Sequence, residues 1–300
     1  MKIIRSLLSL ILLIAISAAS AEQMPQYIEN EWNYVDGSID PSAGIPEDAK
    51  GKLAKILNAG VLRVATEPYY PPQEFIDPSK EGQDQYVGSD MELARLIAAR
   101  MGVTLEIVPM DFSQVLLAVD DEICDMAISG LAFTPGRAVM VTLSKGYHYT
   151  NGNASTGLLI NVANRERISS TDDLRNKDIV AQSGSLQELL LSERVYDYHK
   201  FRRVETIQEV YDAIESGKEV AATVDIETAQ TYIENHPNLM LVPGVYFSLD
   251  EQFDGDRIAV KKGEYQLMYF INGVIDEVLE SGQYEEWFVE YGRLWEKIGK

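Results

Sequence analysis

The sequence predicts an α/β fold of two lobes, each built on a doubly wound, mostly parallel sheet. Two observations carry that expectation. Short apolar runs alternate with amphipathic helical stretches from Leu62 to Ile128, in the order strand, helix, strand, helix, strand, and the alternation resumes from Asp178 to Val242. This is the pattern of a parallel sheet covered by helices, with ligands at the carboxyl ends of its strands. In addition, the chain has 300 residues and is 46% hydrophobic, enough to bury one large core or two smaller ones.

Residues 1–21 carry Lys2 and Arg5, then an apolar run from Leu7 to Ile16, then Ala19-Ser20-Ala21. They read as a secretory signal cleaved after Ala21. The competing reading is a membrane anchor, for which the run is too short, since a bilayer core is ~30 Å thick. No cysteine follows the cleavage site, so lipid attachment is not expected there. Loss of Lys2 and Arg5, with no acid, takes the net charge from −21 to −23. A surface this acidic excludes nucleic acid and anionic lipid as partners. Cys124 is the only cysteine, which rules out an intramolecular disulfide; it is expected as a small packed core residue rather than a nucleophile. His148, His199 and His236 are scattered without metal-ligand spacing.

Glu22 to about Lys50 is polar and holds Pro and Gly, with Trp32 and Tyr34 as its large side chains; it is expected as an extension. Leu62 to Ala65 is the first strand. It runs into Thr66-Glu67-Pro68-Tyr69-Tyr70-Pro71-Pro72, where the prolines forbid helix and fix the directions of Glu67 and Tyr70. Ser89 and Glu92 have the spacing of a capping box opening the next helix. Val103 to Val108 is a strand, and Asp111-Phe112-Ser113 starts a helix. Asp125 to Ile128 is a buried strand, followed by Ser129, Gly130 and Ala132, small residues that let a ligand approach backbone N–H groups. Arg137 comes just past the Thr134-Pro135-Gly136 turn, a permanent cation beside those donors and therefore a candidate carboxylate receptor. A solvated surface charge is the plainer reading of a loop arginine.

The run Gly130-Leu131-Ala132-Phe133-Thr134-x-x-Arg137, followed by Leu143-Ser144, resembles the signature of the family 3 extracellular solute-binding proteins, the polar-amino-acid receptors of ABC importers. Matching segments extend from about Gly60 to the C-terminus. The resemblance implies a type II periplasmic-binding-protein fold with two hinge crossings. Residues 1–21 are then the signal peptide, 22–50 an N-terminal extension, 51–154 with 258–300 the first lobe and 155–257 the second. It also implies that Tyr70 and Glu67 meet the ligand side chain, with Phe112 as a second aromatic wall. Core packing for the two aromatics and a solvated loop acid for Glu67 remain as alternatives.

In the second half, Asp178 to Ala181 is a strand. Gln182-Ser183-Gly184-Ser185-Leu186-Gln187 then opens a helix whose free N–H groups suit an anion. The resemblance sets Ser185 and Leu186 opposite Arg137. Thr206 to Ser216 is an amphipathic helix, and Val220 to Val224 a strand ending at Asp225, which resembles the family aspartate that receives an α-ammonium group. Asp225 is equally placed to cap the helix starting at Ile226. Arg257 to Val260 is read as the returning hinge strand, Glu264 to Ser281 as a helix stopped by Gly282, and Tyr284 to Trp295 as an aromatic-rich terminal helix. The sequence departs from the family at Ala132 and Leu186, where side-chain hydroxyls are common.

The implied function is a periplasmic binding protein, not an enzyme, without cofactor or metal. It captures a polar or cationic amino acid and delivers it to an ABC permease, as a monomer. Two rivals are an exported dehydratase or lyase on the same fold, for which Glu67 is an available acid, and a soluble ligand sensor. No membrane helix or kinase segment follows Lys300, which counts against a fused sensor.

Overall fold

The computed structural model describes residues 37–38, 45–149, 155–248 and 253–298. The expected leader and most of the expected extension lie outside the described residues. In chain order the elements are α1 (Gly51–Ala59), β1 (Val61–Thr66), β2 (Tyr69–Tyr70), β3 (Glu74–Ile76), β4 (Tyr86–Val87), α2 (Ser89–Met101), β5 (Thr104–Pro109), α3 (Phe112–Asp120), β6 (Met126–Ala132), α4 (Pro135–Met140) and β7 (Val141–Leu143). There follow β8 (Thr156–Asn161), β9 (Asp178–Gln182), α5 (Leu186–Arg194), β10 (Lys200–Val204), α6 (Ile207–Glu215), β11 (Ala221–Asp225), α7 (Ile226–Ile233), β12 (Leu239–Phe247), β13 (Asp256–Lys261), α8 (Tyr265–Ser281) and α9 (Gln283–Ile298).

Two five-stranded sheets share one plan. The first has the order β5-β1-β6-β13-β7, with β1 parallel to both its neighbours and β13 antiparallel to both of its own. The second has the order β10-β9-β11-β8-β12, with β9 parallel to both neighbours and β8 antiparallel to both of its own. A single strand therefore runs against the rest in each sheet, and it is the strand that begins where the chain crosses over from the other sheet. The type II periplasmic-binding-protein architecture follows from this arrangement.

Each sheet is buried on both faces, which explains why its strands read as continuous apolar runs. In the first sheet Val64, Ile128 and Val260 pack against Leu53 of α1, Leu93 of α2 and Ile271 of α8. Their neighbours Ala65, Ala127 and Ala259 pack against Val115 of α3 on the opposite face. In the second, Ile160 and Ala181 meet Leu190 and Leu191 of α5, while Leu159 and Val180 meet Val210 and Ile214 of α6. Each of these valine, leucine and isoleucine side chains contributes about 1.5–3 kcal/mol. Helix α8 ends at Gly282, whose left-handed φ of 72° lets its N–H return to the Leu279 and Val278 carbonyls.

Two local expectations are corrected. Ser89 is not an N-cap: it is the first helical residue of α2, after Gly88, and its buried hydroxyl donates to Tyr284 Oη at 3.0 Å. Glu92 pairs with Arg95 instead of reaching back. Strand β6 also continues beyond Ile128 to Ala132, because Leu131 and Ala132 pair with Arg257 and Asp256 of β13. A partner strand far along the chain decides that extension, and local sequence does not report it.

Candidate ligand-binding site

The carboxyl edges of the two sheets face a shared cavity of about 630 Å³, within the range of small-molecule sites. All ten residues singled out from the sequence line it: Glu67, Tyr70, Phe112, Ser129, Gly130, Ala132 and Arg137 from one side, Ser185, Leu186 and Asp225 from the other.

Arg137 is set by a short, well-capped turn of helix. Pro135 occupies the first turn of α4, and Thr134 caps it by accepting the Arg137 N–H at 3.2 Å. The guanidinium is 7% exposed. It donates from Nη1 to the Ala132 carbonyl at 2.7 Å and from Nη2 to the Gly184 carbonyl at 3.1 Å, which joins the two halves of the molecule. Phe112 lies beneath it, 5.5 Å from Cζ to ring centroid. Burial pulls its pKa down to about 10, partly offset by the charge of Asp256, so it stays cationic at neutral pH. Among the described residues no carboxylate forms an ion pair with it. A desolvated cation lacking a counter-ion is costly, and two of its five N–H donors are committed to carbonyls.

The small residues of β6 do a different job from the one expected. The Gly130 N–H is not open to a ligand, because it donates to Asp90 Oδ2 at 3.0 Å. Asp90 also accepts from Tyr147 Oη at 2.8 Å and Tyr284 Oη at 2.6 Å. Ser129 Oγ accepts the Glu67 N–H at 3.0 Å and donates to Glu74 at 2.9 Å. Both residues thus hold the cavity floor from below. Gly130 has φ of 52°, and a Cβ there would lie 3.0 Å from the Tyr70 ring; glycine is what lets Tyr70 seat against the strand.

On the other side, Ser185 caps α5 by accepting the Glu188 N–H at 3.0 Å. The N–H groups of Leu186 and Gln187 are left without intrahelical acceptors, at the positive end of the helix. Asp225 ends β11 and caps α7, accepting the Thr228 N–H at 2.9 Å, while also lining the cavity. Cap and cavity wall are therefore combined in one side chain. Gln182, which the sequence reading passed over, donates from Nε2 to Glu67 Oε1 at 3.0 Å across the cavity.

Burial raises the cavity carboxyls. Glu67 moves up to about 8, opposed by the Gln182 hydrogen bond and assisted by the charge of Asp111. Asp225 rises to about 6 and Asp256 to about 7, desolvation being the first cause in each. His148 rises to about 9: burial opposes this, but the hydrogen bond to Glu285 and the charge of Asp256 prevail. In every case the folded chain binds more protons than the unfolded one, so these groups stabilise the fold at low pH and that stability is lost as pH rises through the folded values. The ligand-free protein is expected to melt at a lower temperature at pH 8 than at pH 5.5 by calorimetry. A higher melting temperature at pH 8 would contradict the assignment.

Residues outside the ten also reach the cavity. Asp256 opens β13 and pairs with Ala132. Glu285 and Phe288 of α9 line the rim, with His148 bonded to Glu285 at 2.9 Å and stacked on Phe288 at 4.4 Å. The terminal helix α9 thus serves in part as cavity wall. Cys124 is buried and its thiol is pushed up to about 11 by burial, as suits an inert core residue. Among the described residues no group of three or more His, Cys, Asp or Glu is placed to hold a metal ion, and no helix is long and apolar enough to cross a membrane.

Known proteins share this arrangement. The arginine-binding extracellular protein ArtP of Bacillus subtilis is 28% identical over 234 residues, covering 76% of this chain and 86% of its own. The crystal structure of the amino acid ABC transporter substrate-binding protein AbpA of Streptococcus pneumoniae, bound to L-arginine, superposes with a TM-score of 0.72 at 28% identity, covering 82% of this chain and 100% of that one. A shorter match, 35% identical over 83 residues and covering 28% of this chain and 30% of the other, is to cyclohexadienyl dehydratase of Pseudomonas aeruginosa. The model of the bacterial extracellular solute-binding proteins, family 3, matches residues 62–293, a span holding both sheets and every cavity residue named above, and the chain belongs to that family.

Proposed function

We propose that this protein captures a cationic amino acid in the cavity between its two sheets and delivers it to the permease of an ABC importer. The observation that carries the reading is Arg137, a buried cation without an ion pair among the described residues, facing Asp225 across one cavity. Arg137 and the N–H groups of Leu186 and Gln187 suit an α-carboxylate, and Asp225 an α-ammonium. Tyr70 and Phe112 suit the stem of a long side chain. Among the other charged groups of the lining, Glu227, Asp254, Asp256 and Glu285 stand against His148, so its field favours a positive side chain. Hydroxyls missing at Ala132 and Leu186 remove side-chain donors from the carboxylate subsite, each worth about 0.5–1.5 kcal/mol.

The reading includes export through the leader, cleaved after Ala21, a periplasmic location, a monomeric state, and a hinge at the two crossings near residues 155 and 257. A ligand touching both sides stabilises their approach by its differential contacts, which is the signal a permease reads.

A thermal-shift screen over the proteinogenic amino acids and ornithine tests this. Arginine, lysine or ornithine should stabilise the fold by about 2.7 kcal/mol at a hundredfold excess over Kd. A preference for aspartate or glutamate would overturn it. One observation favours a second reading, a dehydratase: Glu67 is held protonated at neutral pH inside the cavity, as a general acid must be. Product formation during the screen would decide for that reading. For the binder, Glu67→Gln should reorder the ligands, weakening arginine about tenfold relative to glutamine, as read by calorimetry; complete loss of binding would contradict the assigned role.

A further inference from the structure

We infer that Asp256 is a second receptor for the ligand's α-ammonium group, so that one cation is gripped by an acid from each side of the cavity, Asp225 from the second sheet and Asp256 from the first. This rests on the amino-acid reading above and goes beyond it, because that reading counted Asp256 only among the acids whose field favours a positive side chain.

The placement of the two acids is matched. Asp225 is the last residue of β11 and pairs with Thr156, the first residue of β8. Asp256 is the first residue of β13 and pairs with Ala132, the last residue of β6. Each therefore sits at the cavity-facing edge of its sheet, Asp225 beside the strand that begins at a crossing and Asp256 at the start of one. Both line the same cavity, and both act on one group: after burial, the charges of Asp225 and then Asp256 push the Tyr70 phenol further up. Asp256 is anchored by its backbone, whose N–H donates to the His148 carbonyl at 2.8 Å and whose carbonyl accepts the Tyr147 N–H at 2.9 Å. Its carboxyl meets Gln73 and lies in the field of His148, Asp90, Asp225 and Arg137.

An independent observation points to a ligand between them. Arg137, only 7% exposed, lines this cavity with no ion pair among the described residues. Two carboxylates approaching from opposite sides repel one another unless a positive charge lies between them. A zwitterion whose carboxylate rests on Arg137 brings its ammonium to that place. The pair then does more than bind: approach of the two sheets becomes conditional on a cation at the centre, and a ligand without an ammonium is refused although its carboxylate fits.

The test compares arginine with 5-guanidinopentanoate, which keeps the carboxylate and guanidinium but lacks the ammonium. Asp256→Asn should weaken arginine tenfold to a hundredfold, on the order expected for a charge-assisted hydrogen bond, and leave the analogue bound as before or more tightly. The double variant with Asp225→Asn should lose much less than the product of the two single losses, because both acids act on one cation. Equal weakening of arginine and the analogue, fully multiplicative losses, or unchanged arginine affinity would each overturn the inference. Asp256→Ser repeats the comparison should the amide destabilise the fold. If the unmodified protein bound no amino acid, the functional reading would fail first, an outcome distinct from any of these.

Discussion

Arg137→Met is expected to abolish amino-acid binding while the protein still folds. The guanidinium supplies the carboxylate subsite with its only permanent charge, and two charge-assisted hydrogen bonds of about 1.5–3 kcal/mol each correspond to a loss of at least a hundredfold in affinity. Stability should change far less. The substitution deprives the Ala132 and Gly184 carbonyls of a donor, a cost of about 1–3 kcal/mol apiece when such a group is left buried. It also removes a buried cation that has no counter-ion among the described residues, which acts in the opposite direction. Titration calorimetry with arginine, paired with a thermal melt, separates the two effects. Arginine affinity within tenfold of the unmodified protein would refute the head-group assignment. Arg137→Lys should fall between, since an ammonium keeps the charge but not the planar fork.

Asp225→Asn is the second large effect. Asparagine caps helices as well as aspartate does, so α7 should persist and only the charge is lost. Arginine should then bind tenfold to a hundredfold more weakly, whereas a simple carboxylate of the same length should change less than threefold. Equal losses for both would reduce Asp225 to the cap that its hydrogen bond to the Thr228 N–H already makes it. Circular dichroism on the variant confirms that the helix is intact.

The sequence made the sheets and their covering helices legible because both faces of every central strand are buried, so the apolar runs stand out against amphipathic neighbours. The ten side chains it singled out also line one cavity, some set there by the family resemblance and others by strand ends and helix starts marked locally by residues such as Ser185. What it could not show depends on pairing between distant segments. The ladder from β6 to β13 lengthens β6 and places Asp256 at the cavity, yet in sequence Asp256 reads as one more acid in an acidic loop. The buried knot joining Asp90, Tyr147 and Tyr284 unites three stretches with no local signal for one another. It turns Gly130, whose N–H was expected to meet a ligand, into a structural donor. Ser89 looked like a cap because its spacing to Glu92 is right; burial against Tyr284 claimed its hydroxyl first.

The bonds from Gln182 to Glu67 and from Arg137 to Gly184 are bonds of the protein to itself, made from one half of the molecule to the other. They enlarge the share of molecules already in the ligand-ready shape, and apparent affinity scales with that share whatever the ligand is. Tightness is thereby set in part by contacts that touch no ligand, while Gln182, through its bond to Glu67, also bears on an acid that reads the ligand's side chain.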